Sequence, residues 1–315
     1  VGWLAGLQTQ GRKASTLRGY RQVLDLYLLP RLGHVPLQDL RTPDFDKLYR
    51  DLLVGGSRDG GPLSMTSVHH VHAAANKMLN DAERKGLVTR NVARLADAPS
   101  LTTARGKAPE MQVWTPAELA RFLRSIEGSH NEALFRTIAM TGMRRSEAVG
   151  LRWCDVELTR GAVVISQAAT QIDGVEQIDT PKSRRSRRVI DLDPTTTAIL
   201  QRYRASQRER LFMLGIPMQS DDRVFTTELG RPIRPDSVTQ AFGRLVDSTD
   251  LPRIRLHDLR HTHASHLLMA GVNVKVVSER LGHASVSFTL DTYAHVMPGQ
   301  QAEAAAAVAA LLGPS

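Results

Sequence analysis

Several kinds of protein are ruled out by what the chain lacks. Among 315 residues there is one cysteine, Cys154, so no disulfide can close within the chain. A disulfide-stapled secreted scaffold and an all-cysteine zinc site are excluded together. The longest apolar run, Ala304 to Gly313, is too short to span a bilayer. The first twenty residues include Gln8, Gln10, Arg12, Lys13 and Arg18 and hold no apolar core, which reads as no signal peptide. These features predict a cytoplasmic protein without membrane contact. Internal repeats and an HExxH pattern are absent as well, and lysine is scarce, with 7 Lys against 34 Arg.

What is present describes a folded, basic protein. At 42% hydrophobic and 23% charged, disorder, collagen and coiled coil do not fit, and the length favours two domains. Lys and Arg total 41 against 32 Asp and Glu, a formal charge of +9. A planar guanidinium suits two-pronged contact with phosphate, although an arginine-rich codon bias gives the same excess without function. Charge alone therefore makes nucleic acid the first partner to test.

The stretch from Ala98 to Glu110 carries two prolines and a glycine without apolar periodicity and reads as a linker. A boundary near residue 106 gives domains of 1–106 and 107–315, the first holding 15 basic and 9 acidic residues, the second 26 and 23. The first domain reads as all-helical. One helix is expected from a Ser15 cap to about Leu29, ended by Pro30; a second from Pro43 to Leu53; a third from about Thr66 to Lys85, burying Val68, Val71, Ala75, Met78, Leu79 and Ala82. Arg18 and Arg21, off the apolar stripe of the first helix, and Lys77 on the polar side of the third are candidate DNA-binding residues, together with His70 and Arg84. In the second domain Thr115, Pro116 and Glu118 form a helix-start signature. Ala162 to Ile165, Val175 to Ile178 and Arg188 to Leu192 read as a small antiparallel sheet, and helices resume after Asp193. An alanine-rich tail helix is expected from Gln300 to Leu312.

Four segments of the second domain carry reactive side chains: TGMRRSEAVGLRW from Thr141, TPKSRRSRR from Thr180, HDLRHTHASH from His257 and LGHASVSFTLDTYAH from Leu281. Cutting a phosphodiester without a metal needs fixed cations for the non-bridging oxygens, a nucleophile, an acid for the leaving oxygen and a group to take the nucleophile's proton. Arg144, Lys182, His257, Arg260, His283 and Tyr293 together supply such a set. His257 and His261, four apart, also suit a metal-binding helix face, but without an HExxH pattern or a carboxylate cluster no metal is expected. The remaining tyrosines, Tyr20, Tyr27, Tyr49 and Tyr203, read as packing or surface residues.

These motifs resemble those of the tyrosine recombinases of the phage integrase family. TGMRRSE is similar to the family's first arginine motif, with Arg144 catalytic and Glu147 as supporting acid. TPKS supplies Lys182, HDLRH supplies His257 and Arg260, and LGH followed by TLDTYAH supplies His283 and the nucleophile Tyr293. The resemblance covers nearly the whole chain and implies a mainly α fold of two domains: an N-terminal helical core-binding (SAM-like) domain and a C-terminal α+β catalytic domain with a small antiparallel sheet. It implies cleavage and rejoining of DNA through a 3′-phosphotyrosine, for a prophage or mobile element, with no cofactor. The implied partners are duplex attachment sites, further copies of the chain in a synaptic tetramer, and accessory DNA-bending or directionality factors. Arg184 and Arg185, with Arg187 and Arg188, are expected to grip backbone phosphates, and Arg145 to be a secondary DNA contact at most. Nearby cations are expected to favour the Tyr293 phenolate. A chromosome-dimer resolvase, a type IB topoisomerase-like enzyme and a catalytically idle DNA-binding regulator are the alternatives.

Overall fold

The computed structural model describes residues 2–100, 111–179, 187–294 and 308. The chain forms two compact units, Val1–Glu110 and Met111–Ser315. The linker position near residue 106 lies outside the described residues, and so does the tail helix apart from Val308.

The first unit is helical: α1 (Gly2–Thr9), α2 (Ala14–Val23), a π-helical turn (Leu24–Leu28), α3 (Leu29–Leu32), α4 (Thr42–Gly55) and α5 (Met65–Arg84). Its core forms where α4 sets Phe45, Leu48, Tyr49 and Leu52 at helical spacing against Val68, Val71, Ala75 and Leu79 of α5, one apolar stripe burying the other. Pro30 does not end the first long helix as expected. The backbone widens before it, so that the Leu29 N–H bonds the Leu24 carbonyl five residues back, and the Leu26 carbonyl, which Pro30 cannot serve, accepts from Arg31 Nη1 at 3.4 Å. The proline's missing donor is thus absorbed rather than breaking the chain direction. Buried Asp81 on α5 gathers Trp3 Nε1 at 2.9 Å, Lys77 Nζ at 2.6 Å and Arg84 Nη2 at 2.8 Å. The third-helix cations Lys77 and Arg84 are therefore both paired to Asp81, with their side chains still 33% and 66% exposed. Arg18 and Arg21 stand exposed on α2.

The second unit opens with α6 (Pro116–Ser125), started by the reciprocal Thr115–Glu118 cap, then α7 (Glu132–Thr141) and α8 (Arg145–Gly150). Strands β1 (Val156–Glu157), β2 (Ala162–Ile165) and β5 (Arg188–Asp191) make one antiparallel sheet in the order β1-β2-β5, while β3 (Ala168–Ile172) and β4 (Val175–Asp179) form a separate hairpin. The single expected sheet is therefore two. The hairpin closes with Ile172 paired to Val175 across Asp173 and Gly174, both at positive φ (51° and 82°), as a two-residue turn of matching twist requires. Strand β3, Ala-Ala-Thr-Gln-Ile, opens with two alanines of low β-propensity. It forms because small residues let two backbones meet: a Cβ on Gly150 would stand 2.8 Å from the Ala169 nitrogen, and Gln167 Nε2 donates to the Gly150 carbonyl at 2.8 Å.

Helices α9 (Pro194–Met213), α10 (Pro235–Asp247), α11 (Asp258–Met269), α12 (Val274–Leu281) and α13 (Val286–Tyr293) complete the unit. Phe122, Phe135 and Phe242 stack around a common centre with Trp114, ring centroids 5.0 to 6.4 Å apart. That aromatic centre belongs to the apolar cluster that also holds Ile138, Val163, Leu200 and Leu259, and it anchors the helices that carry the site. Among the described residues no helix is long and apolar enough to cross a membrane.

One buried polar residue ties α9 to the loop after it. Gln207 accepts from Trp153 Nε1 at 2.7 Å and donates to the Val224 carbonyl at 3.1 Å and to Thr226 Oγ1 at 2.9 Å. Gln207→Leu leaves the Trp153 N–H and the Val224 carbonyl buried without partners, so the urea midpoint should fall, corresponding to a loss of roughly 1–3 kcal/mol of stability. An unchanged midpoint would show that the network contributes nothing.

Candidate active site

Five of the six expected catalytic residues come from segments that the fold brings to one end of the second unit. Helix α7 ends at Gly142 in the left-handed conformation, φ 65°. A Cβ there would stand 2.7 Å from Leu281 Cδ2 and 2.8 Å from His263 Cδ2, so only glycine turns the chain so closely against α11 and α12. The turn delivers Arg144 as the residue that starts α8. Its backbone N–H donates to Glu147 Oε2 at 2.7 Å, its Nη1 to Glu147 Oε1 at 2.8 Å, and its Nη2 to the Gly282 carbonyl at 3.3 Å.

Glu147 is 6% exposed and receives a second guanidinium, Arg188 on β5, with Nη1 at 3.1 Å and Nη2 at 2.9 Å. Burial pushes its carboxyl upward, but the hydrogen bonds and charges of Arg188 and Arg144 outweigh this and hold it down to about 2. Arg188 is itself buried and fixed by its Nε on the Arg280 carbonyl at 2.6 Å. It does not face outward as a phosphate contact: alternation along β5 turns Arg188 and Ile190 inward and Val189 and Asp191 outward. Arg145 likewise has local partners, Asp236 at 3.1 Å and Thr239 at 2.7 Å.

Arg260 on α11 is 3% exposed, and its two Nη atoms donate to the carbonyls of Gly142 and Leu281 at 2.7 Å each. Burial and the neighbouring Arg144 charge pull its pKa down to about 9. A cation held so far below its ordinary value is relieved by any anion set against it, which is the property of a preorganised anion site.

Two histidines, His261 and His283, pack against the tyrosine ring, and a third, His257, packs against the first of them. His257, exposed at the head of α11, meets His261 edge-on with centroids 5.0 Å apart. His283 follows the left-handed Gly282, holds Thr289 Oγ1 at 2.8 Å with Nδ1, and lies nearly parallel to the Tyr293 ring at 6.4 Å. Burial, with the Arg260 charge next, lowers His257 and takes His283 down to about 3. Tyr293 closes α13 with 1% exposure, packed on Ala264, Leu268, Val277 and Leu281. Its oxygen pairs with Nδ1 of His261 at 2.7 Å, a residue outside the six expected from the sequence. Its pKa is raised to about 12, because burial outweighs the nearby Arg260 charge. The Arg260 charge does favour the phenolate, as expected, but burial outweighs it and the phenol stays protonated.

Lys182, Arg184 and Arg185 lie outside the described residues, between β4 and β5. Among the described residues no group of three or more His, Cys, Asp or Glu side chains is placed to hold a metal ion. Two further histidines of α11 have other partners: His263 accepts from Arg280 Nε at 3.1 Å and His266 pairs with the Trp114 carbonyl at 2.8 Å.

Residues 112–299 match the model of the phage integrase family. The chain belongs to that family. It is 30% identical over 247 residues to the ICEBs1 integrase of Bacillus subtilis strain 168, covering 77% of this chain and 65% of the relative. It is 29% identical over 209 residues to a tyrosine recombinase XerC-like protein of Caldanaerobacter subterraneus, covering 62% and 53%. The chain thus spans about two thirds or less of the length of these relatives. Its fold is that of the Tn1549 transposon integrase, solved in complex with a circular intermediate DNA, with a TM-score of 0.76 at 22% identity over 92% of this chain and 93% of that one. A lambda integrase dimer bound to a core site gives 0.65 at 17% identity, over 92% of each chain.

The ion-pair network predicts a pH dependence with a definite sign. Glu147 titrates near 2 when folded against an ordinary 4.5, so its contribution to stability is complete above pH 4.5 and is lost as the pH falls toward 2. Glu147→Gln should cost about 3–5 kcal/mol at neutral pH, and the gap to the wild type should narrow between pH 4.5 and 2. Parallel urea midpoints across that range would contradict the assignment.

Proposed function

We propose that this chain is a site-specific DNA recombinase that integrates or excises a mobile element, cutting and rejoining duplex DNA through a covalent bond to Tyr293. The observation that carries this reading is the convergence of Arg144 and Arg260 with His257, His283 and Tyr293. The two guanidiniums are fixed by Glu147 and by the carbonyls of Gly142, Leu281 and Gly282. A phosphodiester's charge grows toward its five-coordinate transition state, and rigid forks that need no rearrangement stabilise that change most. Membership of the phage integrase family and the mobile-element names of its relatives favour this activity over a topoisomerase or a chromosome-dimer resolvase.

In this mechanism Arg144 and Arg260 bind the non-bridging oxygens, and His283 and His257 add hydrogen bonds to them. Tyr293 attacks phosphorus, forming the 3′-phosphotyrosine and releasing a 5′ hydroxyl, and Lys182 protonates that leaving oxygen. The ester conserves the bond's free energy, so a second strand's 5′ hydroxyl reverses the step without ATP. Glu147 acts through the arginines. Residues 1–106 serve as the core-binding domain and 107–315 as the catalytic domain, with Arg18, Arg21, Lys77, Arg184 and Arg185 on the DNA backbone. The acting assembly is a tetramer on paired sites, as in the lambda integrase tetramer solved on a Holliday junction, and it works in the cytoplasm at the bacterial nucleoid with accessory factors.

On a nicked duplex carrying the junction between the element's end and its host sequence, wild type should form a covalent adduct in the presence of EDTA. Tyr293→Phe should bind the same duplex and form none, and Arg260→Ala should lose at least about 10²-fold in cleavage rate. Adduct from Tyr293→Phe, or cleavage strictly dependent on magnesium, would refute the proposal.

A further inference from the structure

We infer that His261 accepts the Tyr293 proton when the tyrosine attacks, leaving His257 to face the phosphate; the inference rests on the strand-transfer reading above. Geometry makes the choice between the two histidines. The pairing of His261 Nδ1 with the Tyr293 oxygen, at 2.7 Å, is the one hydrogen bond to the nucleophilic atom among the described residues. His257, one helical turn earlier, reaches no such distance from it. Its ring instead meets that of His261 edge-on.

The direction of the hydrogen bond follows from the charge states. His261 is lowered to about 4, by burial first and then by His257, so near neutrality its ring is uncharged and carries one acceptor nitrogen. Tyr293 is protonated. The phenol therefore donates and Nδ1 accepts, which puts the imidazole proton on Nε2. Buried Asp258, held by Arg255 at 2.8 and 3.0 Å, lies on the same helix and raises the proton affinity of His261. The other charged and titratable groups around the ring are Arg255 and His257 from the segment leading into its helix, Arg260 from the helix itself, and His283 and Tyr293 from the C-terminal elements. A DNA phosphate placed among these cations and neutral rings raises the proton affinity of His261 further, at the moment when attack on phosphorus makes the phenol acidic.

The step balances. The Tyr293 O–H bond breaks, its proton goes to His261 Nδ1 and the oxygen's electron pair forms the bond to phosphorus. The bond from phosphorus to the 5′ oxygen breaks with its pair on that oxygen, which takes a proton from the acid assigned to Lys182. Rejoining returns both protons.

His261→Asn separates proton transfer from positioning, because the Asn Oδ1 falls where Nδ1 stands and accepts the phenol's hydrogen bond but cannot take its proton. With thermal melting and binding of the nicked duplex matching wild type, single-turnover adduct formation by His261→Asn should fall by about 10²–10⁴-fold. A second substrate carries sulfur at the bridging 5′ position, which leaves without protonation. On it Lys182→Ala should recover, whereas His261→Asn should remain slow. Cleavage by His261→Asn within threefold of wild type, or its recovery on the sulfur substrate, would overturn the assignment while leaving the recombinase reading intact. A wild-type protein that forms no adduct on either duplex would instead remove the recombinase reading and this inference with it.

Discussion

The geometry of the site depends on one buried carboxylate. Glu147 is surrounded by protein yet ionised, because two guanidiniums and a backbone N–H reach it together. A lone carboxylate in that position would take up a proton, and a lone buried arginine would be expelled toward water. Held jointly, they lock α8 to β5, and Arg188 continues the tie through the Arg280 carbonyl to α12. Arg260 completes the frame by joining the Gly142 and Leu281 carbonyls. Four segments distant in sequence are thereby fixed at one place by charge and backbone polarity rather than by apolar contact alone.

Left-handed glycines make that frame sterically possible. Gly142 lets α7 turn sharply into the Arg144 segment. Gly282 does the same between α12 and His283, where a Cβ would stand 2.8 Å from Arg188 Nη1. Each lies against a guanidinium or a histidine of the site, and each offers a carbonyl to one of the arginines. Backbone conformation and electrostatics are coupled at both points, so the placement of the cations follows from the turn chemistry of the chain.

Much of this was legible in the sequence for identifiable reasons. Caps such as Thr115 with Glu118 act locally and read directly. The spacing of His257 and Arg260 and the order of the four segments carried the family resemblance. Other features were hidden because they depend on partners far away in the chain. Arg188 looked like one more member of a basic turn, and only strand alternation, which points it inward beside Ile190, distinguishes it from Arg187. His261 did carry a signal, its four-residue offset from His257 on one helix face, but that spacing suggested a metal rather than a tyrosine thirty-two residues on. Pro30 misled because the widened turn before it and the Arg31 side chain together meet the needs of the interrupted helix. The raised pKa of Tyr293 was not legible either, since it reflects how deeply the ring is packed, which spacing does not encode.

In the proposed reaction the Tyr293 oxygen becomes esterified to a DNA 3′ phosphate between two fixed arginines. Mass-spectrometric mapping of the protein trapped on a nicked junction duplex tests it most directly. The account predicts a single nucleotide-bearing peptide with the modification on Tyr293. An adduct on any other residue, or cut DNA with no attached protein, would contradict it.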